Sequence, residues 1–276
     1  MSWTHLLAQA AAELRAAGVP DPMRDARRLL AHALDAPTER LTLLLGDPVE
    51  AGAEARFRAA VARRVRREPV SQITGRRAFW GRDFRVSRAV LDPRPETETL
   101  VALALDAPFK RVLDIGTGSG CILATLLAER PGARGTGTDV SDEALEVAAE
   151  NAARLGVAGR AEFRRTEWAR DVAGPFDLIV SNPPYIAAAE MPDLSPEVRE
   201  WEPRLALTDG GDGLTAYRAI ADQAPALLGP GGRLIVEIGP TQGAQVAALF
   251  VEGGLEEVRL HHDLDGRDRC VSARHA

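Results

Sequence analysis

The chain has 276 residues, 45% of them hydrophobic and 27% charged, with a net charge of −6. That is room for two domains, or for one large α/β domain with an appendage, in an ordinary globular composition. A disulfide scaffold is excluded because Cys121 and Cys270 are the only cysteines, and a helical membrane span because no apolar run approaches about 20 residues. The opening MSWTHLLAQAAAELRAAG has no basic leader before a long apolar core, and Glu13 with few hydroxyl residues argues against a transit peptide, so a cytoplasmic location is expected. The histidines His5, His32, His261, His262 and His275 show no ligand spacing, and no metal is expected.

In chain order, residues 1–72 read as a small helical bundle. RRLLAHALD and TERLTLLLG carry leucines at helical spacings, Asp21-Pro22 reads as a cap and first-turn proline, and Pro37, Gly46 and Pro48 punctuate further short helices. Residues 73–92 alternate apolar and polar types around Gly81, as a linking β-hairpin does. Thr97 or Thr99 can start the next helix. From about residue 110 strands and helices alternate: RVLDIG, ARGTGTDV, AEFRR, FDLIVSN, GRLIVEIG and the closing pair EEVRLHHDL and RDRCVSAR read as strands, with helices between. The alternation predicts an α/β domain over 93–276 with a mostly parallel sheet, the closing pair supplying an antiparallel edge strand. Charge is uneven along this order. Between Arg56 and Arg94 twelve arginines face only Glu68, Asp83 and Asp92, a local excess of nine, so the remainder of the chain carries about −15. Such a stretch is either a solvated face or a docking surface for an acidic partner.

VLDIGTGSGCI sets Gly116, Gly118 and Gly120 between a strand and a helix, with Asp139 at the end of the next strand, nineteen residues beyond Gly120. Glycines there admit positive φ and close approach of a ligand, the helix start offers free N–H groups, and a carboxylate at that strand end can accept both ribose hydroxyls of a nucleoside. The spacing departs from G-x-G-x-x-G, and Asp114 precedes the first glycine by two. It suits a ligand without a pyrophosphate, and S-adenosylmethionine fits: Asp114 for its ammonium, Asp139 for its ribose, with Thr117 and Ser119 between the glycines.

VSNPPYI ends a predicted strand in Asn182, Pro183, Pro184 and Tyr185. Strand ends of an open α/β sheet gather ligands, so Asn182 is expected beside the glycine loop. The prolines have no N–H, which leaves the Asn182 and Pro183 carbonyls and the Asn182 side-chain oxygen as a stiff set of acceptors. Their natural guest is a planar NH2 group, with Tyr185 packing against its flat face. Two acceptors on such a nitrogen direct its lone pair at an incoming carbon and stabilise the charge growing on it.

These motifs resemble the class I S-adenosylmethionine methyltransferases that modify planar amino groups. PRPETE at 93–98, VSNPPYI, EPRLAL at 202–207, GGDGL at 210–214 and DLDGRDRCV at 263–271 narrow the resemblance, along the whole chain, to the HemK/PrmC family of release factor glutamine methyltransferases. The resemblance implies a seven-stranded Rossmann-like sheet and methylation of the glutamine nitrogen in the Gly-Gly-Gln motif of peptide chain release factors. It implies cofactor contacts from Asp114, Gly116, Thr117, Gly118, Ser119, Gly120, Asp139, Trp168 and Asn182. Asn182, Pro183, Pro184 and Tyr185 would hold the glutamine, with Asn182, Pro183 and Tyr185 catalytic. The family commonly has aspartate before that tryptophan, whereas this chain has Glu167, whose carboxylate stands one methylene further out. A monomer is expected, requiring neither nucleic acid nor membrane. A ribosomal-protein glutamine methyltransferase and a DNA or RNA amino-methyltransferase are the alternatives. Cys121 reads as a packing residue, Glu237 as either a crevice or a strand residue, and Arg94, Glu96 and Glu98 as either substrate-side or helix-capping groups.

Overall fold

The computed structural model describes residues 2–276 and divides into two compact units. One comprises the chain up to Arg76 together with Ser195–Trp201; the other comprises Arg77–Leu194 and Glu202–Ala276.

The first unit is helical: α1 (Trp3–Ala16), α2 (Pro22–Ala33), α3 (Leu41–Leu44), α4 (Ala51–Val65) and α5 (Val70–Thr74). Ser2 caps α1 by accepting from the His5 N–H at 3.3 Å. Asp21 precedes Pro22 as expected, but its side chain makes no cap bond. Trp3, Leu6, Leu14, Leu29, Leu30 and Phe57 form the buried core. Residues 73 and 74, which read as the start of the hairpin, instead complete α5; Gly75, at φ +70°, ends that turn in the left-handed conformation. A buried ion network also holds this unit. Arg64 Nε lies 2.8 Å from Asp25 and its Nη2 2.9 Å from Glu197, while Arg67 grips both Glu197 oxygens at 2.7 Å.

The second unit begins with the hairpin β1 (Arg76–Phe79) and β2 (Arg82–Arg85). Trp80 and Gly81 both have positive φ, the tight two-residue turn whose twist suits a hairpin. There follow α6 (Glu98–Leu105), β3 (Arg111–Ile115), α7 (Cys121–Glu129), β4 (Arg134–Asp139), α8 (Asp142–Arg154), β5 (Ala161–Arg165) and β6 (Phe176–Ser181). After α9 (Pro196–Trp201), whose residues belong to the helical unit, come α10 (Thr215–Leu227), β7 (Leu228–Glu237), α11 (Gly243–Glu252), β8 (Glu256–His262) and β9 (Asp268–Arg274). The fold class is α/β. Seven strands form one sheet in the order β5-β4-β3-β6-β7-β9-β8, parallel from β5 to β7. The antiparallel strand is β9, and it is not at the edge: it lies between β7 and β8, pairing antiparallel with both. The short turn at 263–267 fixes β8 and β9 as a hairpin but does not say which of the two meets β7. β9, with Cys270, Val271 and Ala273 buried, takes the inner place, while β8, which buries none of its residues, lies at the edge. No described helix is long and apolar enough to cross a membrane.

The chain runs outward from β3 in both directions, through β4 and β5 on one side and β6 and β7 on the other. The strand order therefore reverses between β3 and β6, and a crevice opens at the carboxyl ends of those two strands.

Candidate active site

Parallel register sets the site. Ile115 pairs with Ser181, so Gly116 and Asn182, the next residue of each chain segment, leave the sheet side by side. The Ser181 hydroxyl donates to the Ile115 carbonyl at 2.7 Å and ties the two strand ends together. On the other flank Ile115 pairs with Thr138, and the Thr117 N–H donates to the Thr138 carbonyl at 2.8 Å, which brings the glycine loop to Asp139.

A cavity of about 440 Å³ occupies this crevice. Gly116, Thr117, Gly118, Ser119, Asp139, Trp168, Asn182 and Pro184 all line it. Asp114, Gly120, Pro183 and Tyr185 do not. Gly120, at φ +72°, is the first residue before α7, and a Cβ there would lie 2.9 Å from the Ala148 Cβ; it lets α7 pack against α8. Pro183 is buried, and Tyr185 packs on the core formed by Leu214, Tyr217 and Ile238 while its carbonyl accepts from Gln242 Nε2 at 2.9 Å. Burial pushes the Tyr185 hydroxyl up to about 12, with Glu237 adding to the rise.

The Asp139 carboxylate is held by main-chain donors, from Gly118 N–H on one oxygen and Ser141 N–H on the other, both at 3.0 Å. The Ser141 hydroxyl in turn caps α8. Asp114 is fully buried in mid-sheet. Its Oδ2 accepts from the Thr117 hydroxyl at 2.7 Å, and its Oδ1 completes no hydrogen bond of regular geometry among the described residues. Burial raises this carboxyl to about 7, against the pull of the Thr117 bond. Trp168 stands on the far wall at φ +58°, rare for a bulky residue, and its carbonyl accepts from the buried Thr138 hydroxyl at 2.6 Å. Glu167 also lines the cavity but is exposed, 3.4 Å from Arg170. Cys121 is buried and its thiol is pushed up to about 12, which keeps it a packing residue.

The chain is matched over residues 5–75 by the family described as the PrmC N-terminal domain, and over residues 87–197 by the methyltransferase small domain. A release factor glutamine methyltransferase of Cereibacter sphaeroides is 61% identical over 268 residues, covering 97% of this chain and 96% of that protein. The chain belongs to the release factor glutamine methyltransferase family. A second relative of the same description, from Rhodospirillum rubrum, is 50% identical over 98% of this chain and 84% of its own length. Among solved structures, a methyltransferase from Pyrococcus furiosus shares the fold at 18% identity and a TM-score of 0.56, over 71% of this chain and 90% of that one.

Two groups of this methyltransferase gain a place at the site from the fold, one that the sequence read only as a helix start and one that it left open. Thr97, expected only as a helix start, gives α6 no side-chain cap; its hydroxyl instead accepts from Asn182 Nδ2 at 3.1 Å. Glu237 ends β7, and because Ser181 pairs with Val236, Asn182 and Glu237 leave their strands side by side. Glu237 is fully buried and raised to about 7 by that burial, opposed by the Thr97 hydroxyl and by Arg269. Neither of its oxygens completes a hydrogen bond of regular geometry among the described residues. The available signal was a lone carboxylate in the apolar run LIVEIG, ambiguous until the strand order placed it next to Asn182. On the rim, Arg94 meets Glu202 at 2.5 Å, and burial raises that carboxyl to about 7 despite the arginine.

Proposed function

We propose that this enzyme transfers a methyl group from S-adenosylmethionine to the side-chain amide nitrogen of the glutamine in the Gly-Gly-Gln motif of peptide chain release factors. The observation that carries the reading is the shared cavity: the glycine loop with Asp139, and the donor-free corner at Asn182, open into one space at the strand-order switch. The family to which the chain belongs supports the same choice of substrate.

The residues fit the cofactor. The Asp139 carboxylate at the cavity suits ribose hydroxyls, Trp168 offers a flat wall, and Asp114, below the loop and bonded to the cavity-lining Thr117, supplies a carboxyl on the side where an ammonium would sit. When bound, S-adenosylmethionine supplies an electrophilic methyl carbon. The protein supplies orientation. Asn182 Oδ1 and the carbonyls of Asn182 and Pro183 accept the amide hydrogens of the incoming glutamine and turn its nitrogen lone pair toward the cofactor side. A neutral amide needs no charged base to be held this way; the growing positive charge on nitrogen is met by fixed acceptor dipoles, and the nitrogen then releases one of its protons to solvent to leave a neutral N-methyl amide. Tyr185, packed on the core rather than on the cavity, anchors the end of the corner. In this reading the enzyme works on its protein substrate as a monomer, without nucleic acid or membrane. It puts the enzyme in the cytoplasm with its substrate.

The test is incubation with methyl-labelled S-adenosylmethionine and, separately, unmodified release factor, ribosomal proteins and DNA, followed by mass spectrometry. Label on the release factor glutamine is expected. Label confined to ribosomal protein or DNA would overturn the substrate assignment.

A further inference from the structure

We infer that Thr97, backed by Glu237, is a positioning residue that decides which end of the Asn182 amide faces the substrate; this rests on the reading of the Asn-Pro-Pro-Tyr corner above. A carboxamide rotated by half a turn exchanges its acceptor for a donor with almost no change of shape. Only the orientation with Oδ1 toward the cavity can accept from a substrate NH2; the other would present NH2 to NH2. The corner alone does not choose, since its prolines have no N–H to bond the Asn182 oxygen and none to repel its nitrogen.

The choice is made from outside the corner. Asn182 Nδ2 donates to Thr97 Oγ1 at 3.1 Å, which turns Oδ1 away from Thr97. The Thr97 hydroxyl has a single proton, and Glu237, which ends β7 beside Asn182, is close enough to be influenced by it, although the two complete no hydrogen bond of regular geometry. Ionised, that carboxyl only accepts. With its proton directed at Glu237, Thr97 can offer Asn182 lone pairs alone, so Asn182 must turn its NH2 inward and its oxygen outward. Thr97 is 2% exposed and Glu237 fully buried, which leaves bulk water little access to substitute for either. The arrangement also accounts for an otherwise costly feature. A buried carboxylate without a regular hydrogen bond opposes folding, and an apolar residue would serve β7 better among Ile235, Val236 and Ile238.

The experiment measures methyl transfer to release factor at saturating cofactor and at a pH well above 7, with cofactor affinity measured separately. Thr97→Val should lower kcat about 10- to 100-fold with cofactor Kd unchanged, as expected for a misoriented group rather than a lost binding contact. Thr97→Ser, which keeps the hydroxyl, should restore most of the turnover. Glu237→Gln should lower kcat as well, because its amide can donate to Thr97 and reverse the sense of the chain. In the Thr97→Val background Glu237→Gln should add nothing, since it acts through Thr97. Independent, additive losses in the double variant would overturn the inference, as would wild-type kcat in Thr97→Val alongside an inactive Asn182→Ala. Full turnover in Asn182→Ala would instead remove the reading of the corner and this inference together. If Thr97→Val does not fold, the near-isosteric Glu237→Gln decides: unchanged kcat refutes the relay.

Discussion

The loop after β3 and the corner after β6 stand side by side at one cavity but are held in different ways. The glycine loop is shaped mainly by its own backbone and that of the adjoining strand: positive φ at Gly116, Gly118 and Gly120, a Thr117 N–H on the Thr138 carbonyl, and Asp139 braced by main-chain donors. The corner has given up main-chain donors at two successive prolines. Its functional amide is oriented by a side chain 85 positions earlier, and Glu237 stands beside it on the next strand. A site that binds a constant cofactor can thus be assembled from local turns and helix starts, whereas a site that must present acceptors alone has its polarity imposed from elsewhere in the fold.

That contrast can be broken or sharpened by experiment. The largest effect is expected from Asn182→Ala, which should cost about 100- to 1,000-fold in turnover, comparable to removing one preorganised polar group, while cofactor affinity by calorimetry stays the same. Equal losses in both would erase the distinction between the two sides. Asp139→Ala should do the reverse. Losing a charged acceptor of about 1.5–3 kcal/mol corresponds to a cofactor Kd weaker by about 10- to 100-fold, with kcat at saturation little changed. Gly120→Ala tests the scaffold. Its Cβ would crowd Ala148 and occupy a left-handed conformation, so a loss of about 1–3 kcal/mol is expected in denaturant unfolding, with cofactor affinity falling only as the loop distorts. The smallest effect is on pH. Asp114 titrates near 7 in the folded protein against 3.8 ordinarily, so the folded state binds the extra proton and the cofactor-free enzyme loses stability as pH rises from about 4 to 7. Cofactor binding wants the same carboxyl ionised, so affinity should strengthen as pH rises through 7. Asp114→Asn should abolish the affinity trend and lessen the stability trend, leaving the part that buried Glu237 and Glu202, also raised to about 7, contribute in the same direction; calorimetry and thermal melts across that range check both.

Much of this was legible from the chain itself, and the parts that were not share a cause. All seven strands of the sheet were readable because each is a short apolar or alternating run closed by glycine, proline or a capping residue, such as Ser141 before α8. The glycine loop, Asp139 and Asn182 were readable because strand ends in a parallel sheet gather on one side. The last two residues of α5, 73 and 74, read as hairpin because Gly75, which stops the helix, also leads into β1. The place of β9 inside the sheet depended on which strand of the closing pair was the more apolar. Thr97 and Glu237 acquire meaning only from strand order and register. The arginine-rich stretch shows the converse. Arg63, Arg64 and Arg67 are engaged by Glu68, Asp25 and Glu197, Arg82 and Arg85 by Glu129 and Glu150, and Arg94 by Glu202. Glu68 lies inside the stretch, but the other five carboxylates come from elsewhere in the chain and compensate about half of the local excess that suggested a docking surface.

The central claim is that the corner at Asn182 to Tyr185 grips a neutral carboxamide with its nitrogen directed at the methyl donor. A crystal structure of the enzyme with a release factor and the demethylated cofactor tests it most directly. The account predicts the glutamine nitrogen within hydrogen-bond distance of Asn182 Oδ1 and the Pro183 carbonyl, on the cofactor's sulfur side. A glutamine nitrogen bound away from residues 182–185 would contradict it.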